Sequence, residues 1–196
     1  MELKNTYFIL RHGESKANML EIILSHPEYG AHEDFTLTNH GENQVRDFVK
    51  EAKEKGFLDS ETMIYSSPFS RCVRSAQIAT EVLGVKNDII IDERLRERWF
   101  GDYERQHNSN YQKVWDHDAN DAHHKNDNVE STQEVQERTL ALISDLEAKY
   151  TGKKILLVSH GDVLQILQTG ILKKSPGEHR QLSNIRTGEV KKLISE

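Results

Sequence analysis

Thr6-Tyr7-Phe8-Ile9-Leu10-Arg11-His12-Gly13-Glu14 opens the chain with a short apolar run that ends in a histidine and a glycine. The pattern returns far downstream, where Ile155-Leu156-Leu157-Val158 leads into Ser159-His160-Gly161. Runs of four or five apolar residues rich in β-formers and closed by turn residues read as buried strands. If the two are neighbours in one sheet, His12 and His160 project into one site.

Two further runs, Thr62–Tyr65 and Ile89–Ile91, also read as buried strands, and Gly188–Ile194 reads as an added edge strand. Helical patterns lie between them. Val45, Phe48, Val49 and Ala52 fall on one helix face, as do Cys72, Ala76, Ala79 and Leu83. For the second helix, Ser67 reads as N-cap, Pro68 as the first helical residue and Gly84 as the stop. Ser131-Thr132-Gln133-Glu134 has capping-box spacing and opens a helix whose face carries Val135, Thr139, Leu142, Ile143 and Leu146. Strands alternating with helices imply a three-layer α/β/α sandwich around a mostly parallel sheet.

The chain of 196 residues suits a single domain, with no repeat and no linker. Hydrophobic residues are 36% and charged residues 30%, but the apolar ones are periodic, which argues for a folded core. The net charge of −6 disfavours non-specific nucleic-acid binding while permitting a local basic pocket. Cys72 is the only cysteine, so neither an intrachain disulfide nor a cysteine-rich zinc site is expected. The start carries no signal-peptide pattern and no run reaches membrane-spanning length, so a cytoplasmic protein without membrane contact is expected. Oligomeric state is left open.

Two stretches fall outside the strand–helix frame. Met19–Phe35 mixes an apolar Met19–Leu24 segment with His26, Pro27, Tyr29 and Gly30, and Asp116–Asn128 holds nothing larger than alanine that suits a core. As insertions near strand ends (19–36 and 102–130) they read either as solvated loops or as walls over a ligand pocket, since open α/β sheets bind ligands at the carboxyl ends of their strands. His117, His123 and His124 lie in the second stretch without ligand-like spacing, so no metal site is expected there.

Arg11 and His12 together suggest chemistry on an anion. A guanidinium holds phosphate or carboxylate oxygens through two donors at once, and a neutral imidazole can attack phosphorus if one ring nitrogen is held as N–H. Beyond this tripeptide, the sequence resembles the histidine phosphatase superfamily, which includes phosphoglycerate mutases and fructose-2,6-bisphosphatase-like enzymes. The resemblance rests on Leu10-Arg11-His12-Gly13-Glu14-Ser15 with Asn18, on Leu37-Thr38-Asn39-His40-Gly41, and on Ser66-Ser67-Pro68-Phe69-Ser70-Arg71. It continues through Leu95-Arg96-Glu97-Arg98-Trp99-Phe100-Gly101 to Val158-Ser159-His160-Gly161.

The resemblance implies that His12 becomes a phosphohistidine, that Arg11, Arg71 and His160 form a positive pocket, and that Asn18 adds a neutral donor. Glu97 is the expected proton donor. Glu14 is the competing carboxylate, with a structural hydrogen bond or salt bridge as its other reading. Ser15 is either a phosphate donor or a helix cap. Gly161 and Arg98 are expected to touch substrate, Arg98 through a second anionic group. Thr38 reads as a helix cap and Arg74 as solvent-facing. No cofactor or metal is implied; the expected ligand is a small phosphorylated substrate and the product inorganic phosphate.

The mutases of the family carry a short Gly-Trp segment after the first motif and a paired arginine after the glutamate motif. Here Met19–Thr36 replaces the first, and no Arg-Arg pair occurs. Leu95-Arg96-Glu97-Arg98 is similar to the form in sugar-phosphate bisphosphatases of the family. Val129-Glu130-Ser131 stands where relatives often have Gly-Glu-Ser. These features favour hydrolysis of a phosphate monoester over mutase-type transfer. A non-catalytic phosphate binder of the same fold is the third reading, and it leaves the pairing of a nucleophile with an acid unexplained.

Overall fold

A computed structural model describes residues 3–193. Five strands, β1 (Thr6–Arg11), β2 (Met63–Ser66), β3 (Ile90–Ile91), β4 (Lys154–Ser159) and β5 (Val190–Lys192), form one sheet in the order β3-β2-β4-β1-β5. All neighbours are parallel except β5, which runs antiparallel to β1. The helices are α1 (Lys16–Met19), α2 (Pro27–Gly30), α3 (Asn39–Glu54), α4 (Ser70–Leu83), α5 (Tyr111–Asp118), α6 (Thr132–Lys149) and α7 (Gly161–Ile171).

The alternation of side chains along β1 and β4 accounts for the three layers. Phe8, Leu10, Leu156 and Val158 face Val45, Val49, Cys72, Ala76 and Ala79 of α3 and α4. Tyr7, Ile9, Ile155 and Leu157 face Leu142, Ile143, Leu146, Leu164 and Leu167 of α6 and α7. Both strands are therefore covered on both faces, which is why they read as unbroken apolar runs. Register pairs Leu10 with Val158 and Arg11 with Ser159, and the His12 amide donates to Ser159 O at 3.0 Å. The two His-Gly ends thus stand side by side.

Local signals hold in several places. Thr38 caps α3 by accepting from the Gly41 amide at 3.0 Å, Gly84 ends α4 with φ of 76°, and Ser131 and Glu134 form the capping box of α6. Other signals do not. β3 is an edge strand with Ile90 and Ile91 exposed, so the expectation of a buried strand there fails; only β2 flanks it. The start of α4 shifts to Phe69 as N-cap, because the Ser67 hydroxyl is engaged with His160 (2.9 Å) and the chain stays non-helical through Pro68. The last strand is Val190–Lys192, and the expected end at Ile194 lies outside the described residues.

Neither insertion is a loose loop. Ile23 of the first and Val114 of the second pack with Phe100 and Val129 in a separate apolar cluster. Their backbones are joined where the Ile23 amide donates to Gln106 O (2.9 Å) and the Arg105 amide to Ile23 O (2.8 Å). Asp118, read as part of a solvated stretch, is fully buried. It receives both terminal nitrogens of Arg98 at 2.7 Å, and His124 approaches it at 2.7 Å. Polar composition alone suggested solvent, but a carboxylate enters a core when its charge is matched.

Candidate active site

A cavity of about 270 Å³ opens at the carboxyl ends of β1 and β4, near the low end of the roughly 300–1,000 Å³ usual for ligand pockets. Arg11, His12, Ser15, Asn18, Arg71, Glu97 and Gly161 line it. Of the nine expected site residues, then, the fold brings seven to one cavity.

His12 is fixed by a tight turn. A Cβ at Gly13 would meet Gly41 O at 2.2 Å, and one at Gly41 would meet Glu14 O at 2.0 Å, so the His-Gly turn packs glycine against glycine on the first turn of α3. This close approach explains why the Leu37–Gly41 motif accompanies the first one. Glu14 is used locally: its Oε1 accepts from Thr38 Oγ1 at 2.7 Å, which matches its structural reading.

The imidazole of His12 donates from Nδ1 to Gly13 O (2.7 Å), leaving Nε2 as the lone-pair nitrogen toward Arg71, whose Nε donates to it at 3.2 Å. Burial, reinforced by the charges of Arg71 and Arg11, pushes its pKa well below the ordinary imidazole value. His12 is therefore neutral at neutral pH, with the Nε2 lone pair directed into the cavity.

Arg71 sits at the centre of the site. Its Nη2 donates to Leu24 O of the first insertion at 3.0 Å, lies 3.1 Å from His160 Nδ1 and 3.5 Å from Glu97 Oε2. Among the described residues, Arg71 Nη1 and Arg11 Nε are buried with no hydrogen-bond partner. Buried donors are almost always satisfied, so two orphans on arginines of one cavity point to an anionic ligand. Arg11 Nη1 is anchored on Ile185 O (2.8 Å), and a Cβ at Gly161 would lie 3.2 Å from the Arg11 guanidinium. Gly161 also starts α7, whose N-terminal amides add positive potential to the same end of the cavity.

His160 stands beside His12 as expected, with the two rings edge to face and their centroids 5.2 Å apart, but its charge differs from the expectation. It is fully buried behind the cavity wall. Arg71 donates to its Nδ1, so Nε2 carries the proton toward Ser67 Oγ. Burial first, and then the charges of Arg71 and other neighbours, hold it well below the ordinary histidine range. It is therefore neutral rather than part of a cationic ring, and its 3.3 Å approach to Glu97 Oε2 is a contact between a neutral imidazole and a carboxyl group. It positions Arg71 and Glu97.

Glu97 is buried, and its Oε1 accepts from the Arg98 amide at 2.9 Å. Burial raises its pKa to about 7; Arg71 opposes this and Asp162 adds to it. A carboxyl half-protonated near neutrality can both give and take a proton.

Ser15 caps α1, its hydroxyl bonded to Asn18 Oδ1 at 2.9 Å, while both residues still line the cavity. Arg98 does not touch the cavity. Its guanidinium is wholly buried between Asp118 and Asp162, and its Nε donates to Glu130 O at 2.7 Å, so the expected role at a second anionic group is corrected to a structural one. Arg74 ties α4 to α3 through both oxygens of Glu42 (2.7 and 3.1 Å) rather than facing solvent alone. Glu130 accepts from Arg138 and from the Trp99 amide, and Val129 is a core residue in an extended conformation that needs no glycine. Among the described residues, no group of three or more His, Cys, Asp or Glu side chains is arranged to hold a metal.

The sequence reading missed Trp115, Asp162, Arg180 and Asn184, all lining the cavity. Asp162 follows the second His-Gly directly, a signal that was available. Arg180 and Asn184 carry no local pattern and reach the site only through the fold.

A family profile described as histidine phosphatase superfamily (branch 1) matches residues 7–194. A probable phosphoglycerate mutase, GpmB, of Escherichia coli is 32% identical over 172 residues, covering 84% of this chain and 74% of that one. Among solved structures, a mycobacterial glucosyl-3-phosphoglycerate phosphatase in complex with VO3 is similar at a TM-score of 0.77 and 22% identity, covering 95% of this chain and 91% of that one. An Escherichia coli putative alpha-ribazole-5'-P phosphatase is similar at a TM-score of 0.70 and 22% identity, over 94% and 88% of the two chains. At these identities the structural likeness concerns the fold.

Proposed function

The chain belongs to the histidine phosphatase superfamily, and from that premise we propose that it hydrolyses a phosphate monoester of a small metabolite through a phosphohistidine on His12. One observation carries the proposal: a neutral His12, its Nδ1–H locked on Gly13 O, faces two arginines that each keep an unpartnered buried donor among the described residues.

Phosphate oxygens compete with His12 Nε2 for Arg71, and as they take its donors the lone pair is freed to attack. In the first step the Nε2–P bond forms and the P–O bond to the leaving alcohol breaks. Glu97 gives its proton to the departing oxygen. The imidazolium so formed keeps its hydrogen bond to Gly13 O. In the second step Glu97, now a carboxylate, takes a proton from water, whose oxygen bonds to phosphorus as the N–P bond breaks. Inorganic phosphate leaves with His12 neutral and Glu97 protonated again. Arg11, Arg71 and the first amides of α7 offset charge on the three equatorial oxygens, the main demand of phosphoryl transfer. These fixed cations supply that stabilisation without a metal. His160, at the back of the wall, holds Arg71 and Glu97 in register.

Mutase-type transfer is the second reading, favoured by the name of the relative at 32% identity. A screen of phosphorylated metabolites at neutral pH with EDTA present separates the two. Release of inorganic phosphate without a bisphosphorylated primer is expected. Strict dependence on such a primer, with no net phosphate release, overturns the proposal.

A further inference from the structure

Two arginines of the cavity serve its phosphate end, and a third has no assigned task. Arg180, in the 3₁₀ segment Pro176–Gln181, lines the same cavity. Its guanidinium lies over the Trp115 ring at 3.9 Å from the centroid, and its Nη1 donates to Gln165 Oε1. Gln165 is buried on α7 and is itself oriented by donating to Leu182 O (3.3 Å) and Ser183 O (3.4 Å). Stacking on one face and a fixed acceptor at one nitrogen pre-organise a side chain that is otherwise highly mobile.

The carboxylate best placed to neutralise Arg180 is already engaged. Asp162 Oδ1 accepts from Trp115 Nε1 (3.0 Å) and faces His179 Nε2 (3.1 Å), while Oδ2 meets Arg98 (3.2 Å). Burial works against its ionisation, but His179, Arg98 and Arg180 outweigh that and hold its pKa well below the carboxylate range. Arg180 forms no ion pair among the described residues; its guanidinium contacts are Trp115 and Gln165. It is near enough to Arg11 to matter electrostatically: burial chiefly lowers the Arg11 pKa, and Arg180 adds to that effect. Arg180 is solvent-exposed, so its charge is hydrated in the free protein and stands open to a second negative charge beside the phosphate site.

We propose that Arg180, braced by Trp115 and Gln165, binds a second oxyanion on the leaving-group side of the substrate. This deepens the phosphatase reading and rests on it: the preferred substrates are phosphate monoesters whose alcohol also carries a carboxylate or a second phosphate. The role expected of Arg98 from its motif thus passes to a residue twenty positions beyond His160. Arg98 instead holds Asp162, and through it the Trp115 platform.

Calorimetric titration of the His12→Ala protein, which cannot form the phosphoenzyme, tests the idea with matched pairs. The pairs are 3-phosphoglycerate against glycerol 3-phosphate, and fructose 1,6-bisphosphate against fructose 6-phosphate. The member carrying the second anionic group is expected to bind about tenfold tighter or more in at least one pair, and the pair that shows it tells carboxylate from phosphate. Adding Arg180→Met, which still covers the indole, collapses that difference, and Arg180→Lys retains part of it. Equal binding within both pairs, or an equal loss for both members in Arg180→Met, overturns the proposal. The same pairs are followed by phosphate release with His12 intact. If none of the four ligands and no member of the wider metabolite screen is hydrolysed, the phosphatase reading fails while the titration still decides on Arg180.

Discussion

Two buried arginines lie on either side of Glu97 and differ in how fully they are used. Arg98 has its carboxylates and carbonyl in place: Asp118 by two bonds, Asp162 by one and Glu130 O by one. Arg71, equally out of water, has a buried nitrogen without a partner among the described residues, as does Arg11 beside it. A satisfied buried cation holds a wall together. An unsatisfied one is a cost to the free protein that an anion can repay. The contrast separates scaffold from site more sharply than the motif does, because Glu97-Arg98 reads as a single catalytic element.

The largest effect that sharpens this contrast is expected from Arg98→Met. It strands Asp118 and Asp162 without their common cation, and about 3–5 kcal/mol of stability should be lost. Thermal or urea unfolding measures it; a loss below about 0.5 kcal/mol would mean the cluster is not the clamp described. Arg71→Met should do the reverse. Turnover falls by about 10²–10³ through loss of transition-state donors, while stability falls by less than in Arg98→Met, because the acceptors left unpaired at Leu24 O, His12 and His160 are neutral. A large destabilisation of Arg71→Met would break the comparison, since it would make Arg71 scaffold too.

A smaller, pH-dependent effect belongs to Glu97. Its folded pKa is raised from an ordinary 4.5 to about 7. The folded state therefore holds a proton that the unfolded state releases, and stability falls as pH rises from about 4.5, the cost being complete above about 7. Glu97→Gln removes that cost, so its stability relative to the parent should improve between pH 5 and pH 8, by at most roughly 3 kcal/mol. A pH-independent difference would refute the raised pKa. In the parent enzyme, kcat/KM should decline above about pH 7 as the donor proton is lost, and it should show no histidine limb near 6.5, because His12 is already neutral there.

Much of the frame was legible from residue order. Alternating apolar runs and helix caps at Thr38, Gly84 and Ser131 are local signals, and the structure keeps them. The phosphate end was also legible, since Arg11, His12 and Gly13 are consecutive and the second His-Gly lies on the neighbouring strand. What failed shares one physical reason. The fates of Asp118, Arg98, His160 and Ser67 depend on partners far away in sequence: polar Asp118 is buried because Arg98 meets it, and Ser67 leaves its helix cap because His160 needs an acceptor. Periodicity sees hydrophobicity and spacing, not the pairing of charges across the fold. Arg180 was invisible for the same reason.

The central claim is that His12 carries the phosphoryl group. It is tested most directly by rapid acid-free quenching during turnover of a phosphate monoester, followed by peptide mass spectrometry of the trapped protein. An acid-labile phosphoryl group on the peptide containing His12, absent from His12→Ala together with turnover, is the predicted result. A phosphoryl group on another residue, or undiminished phosphate release by His12→Ala, would contradict the account.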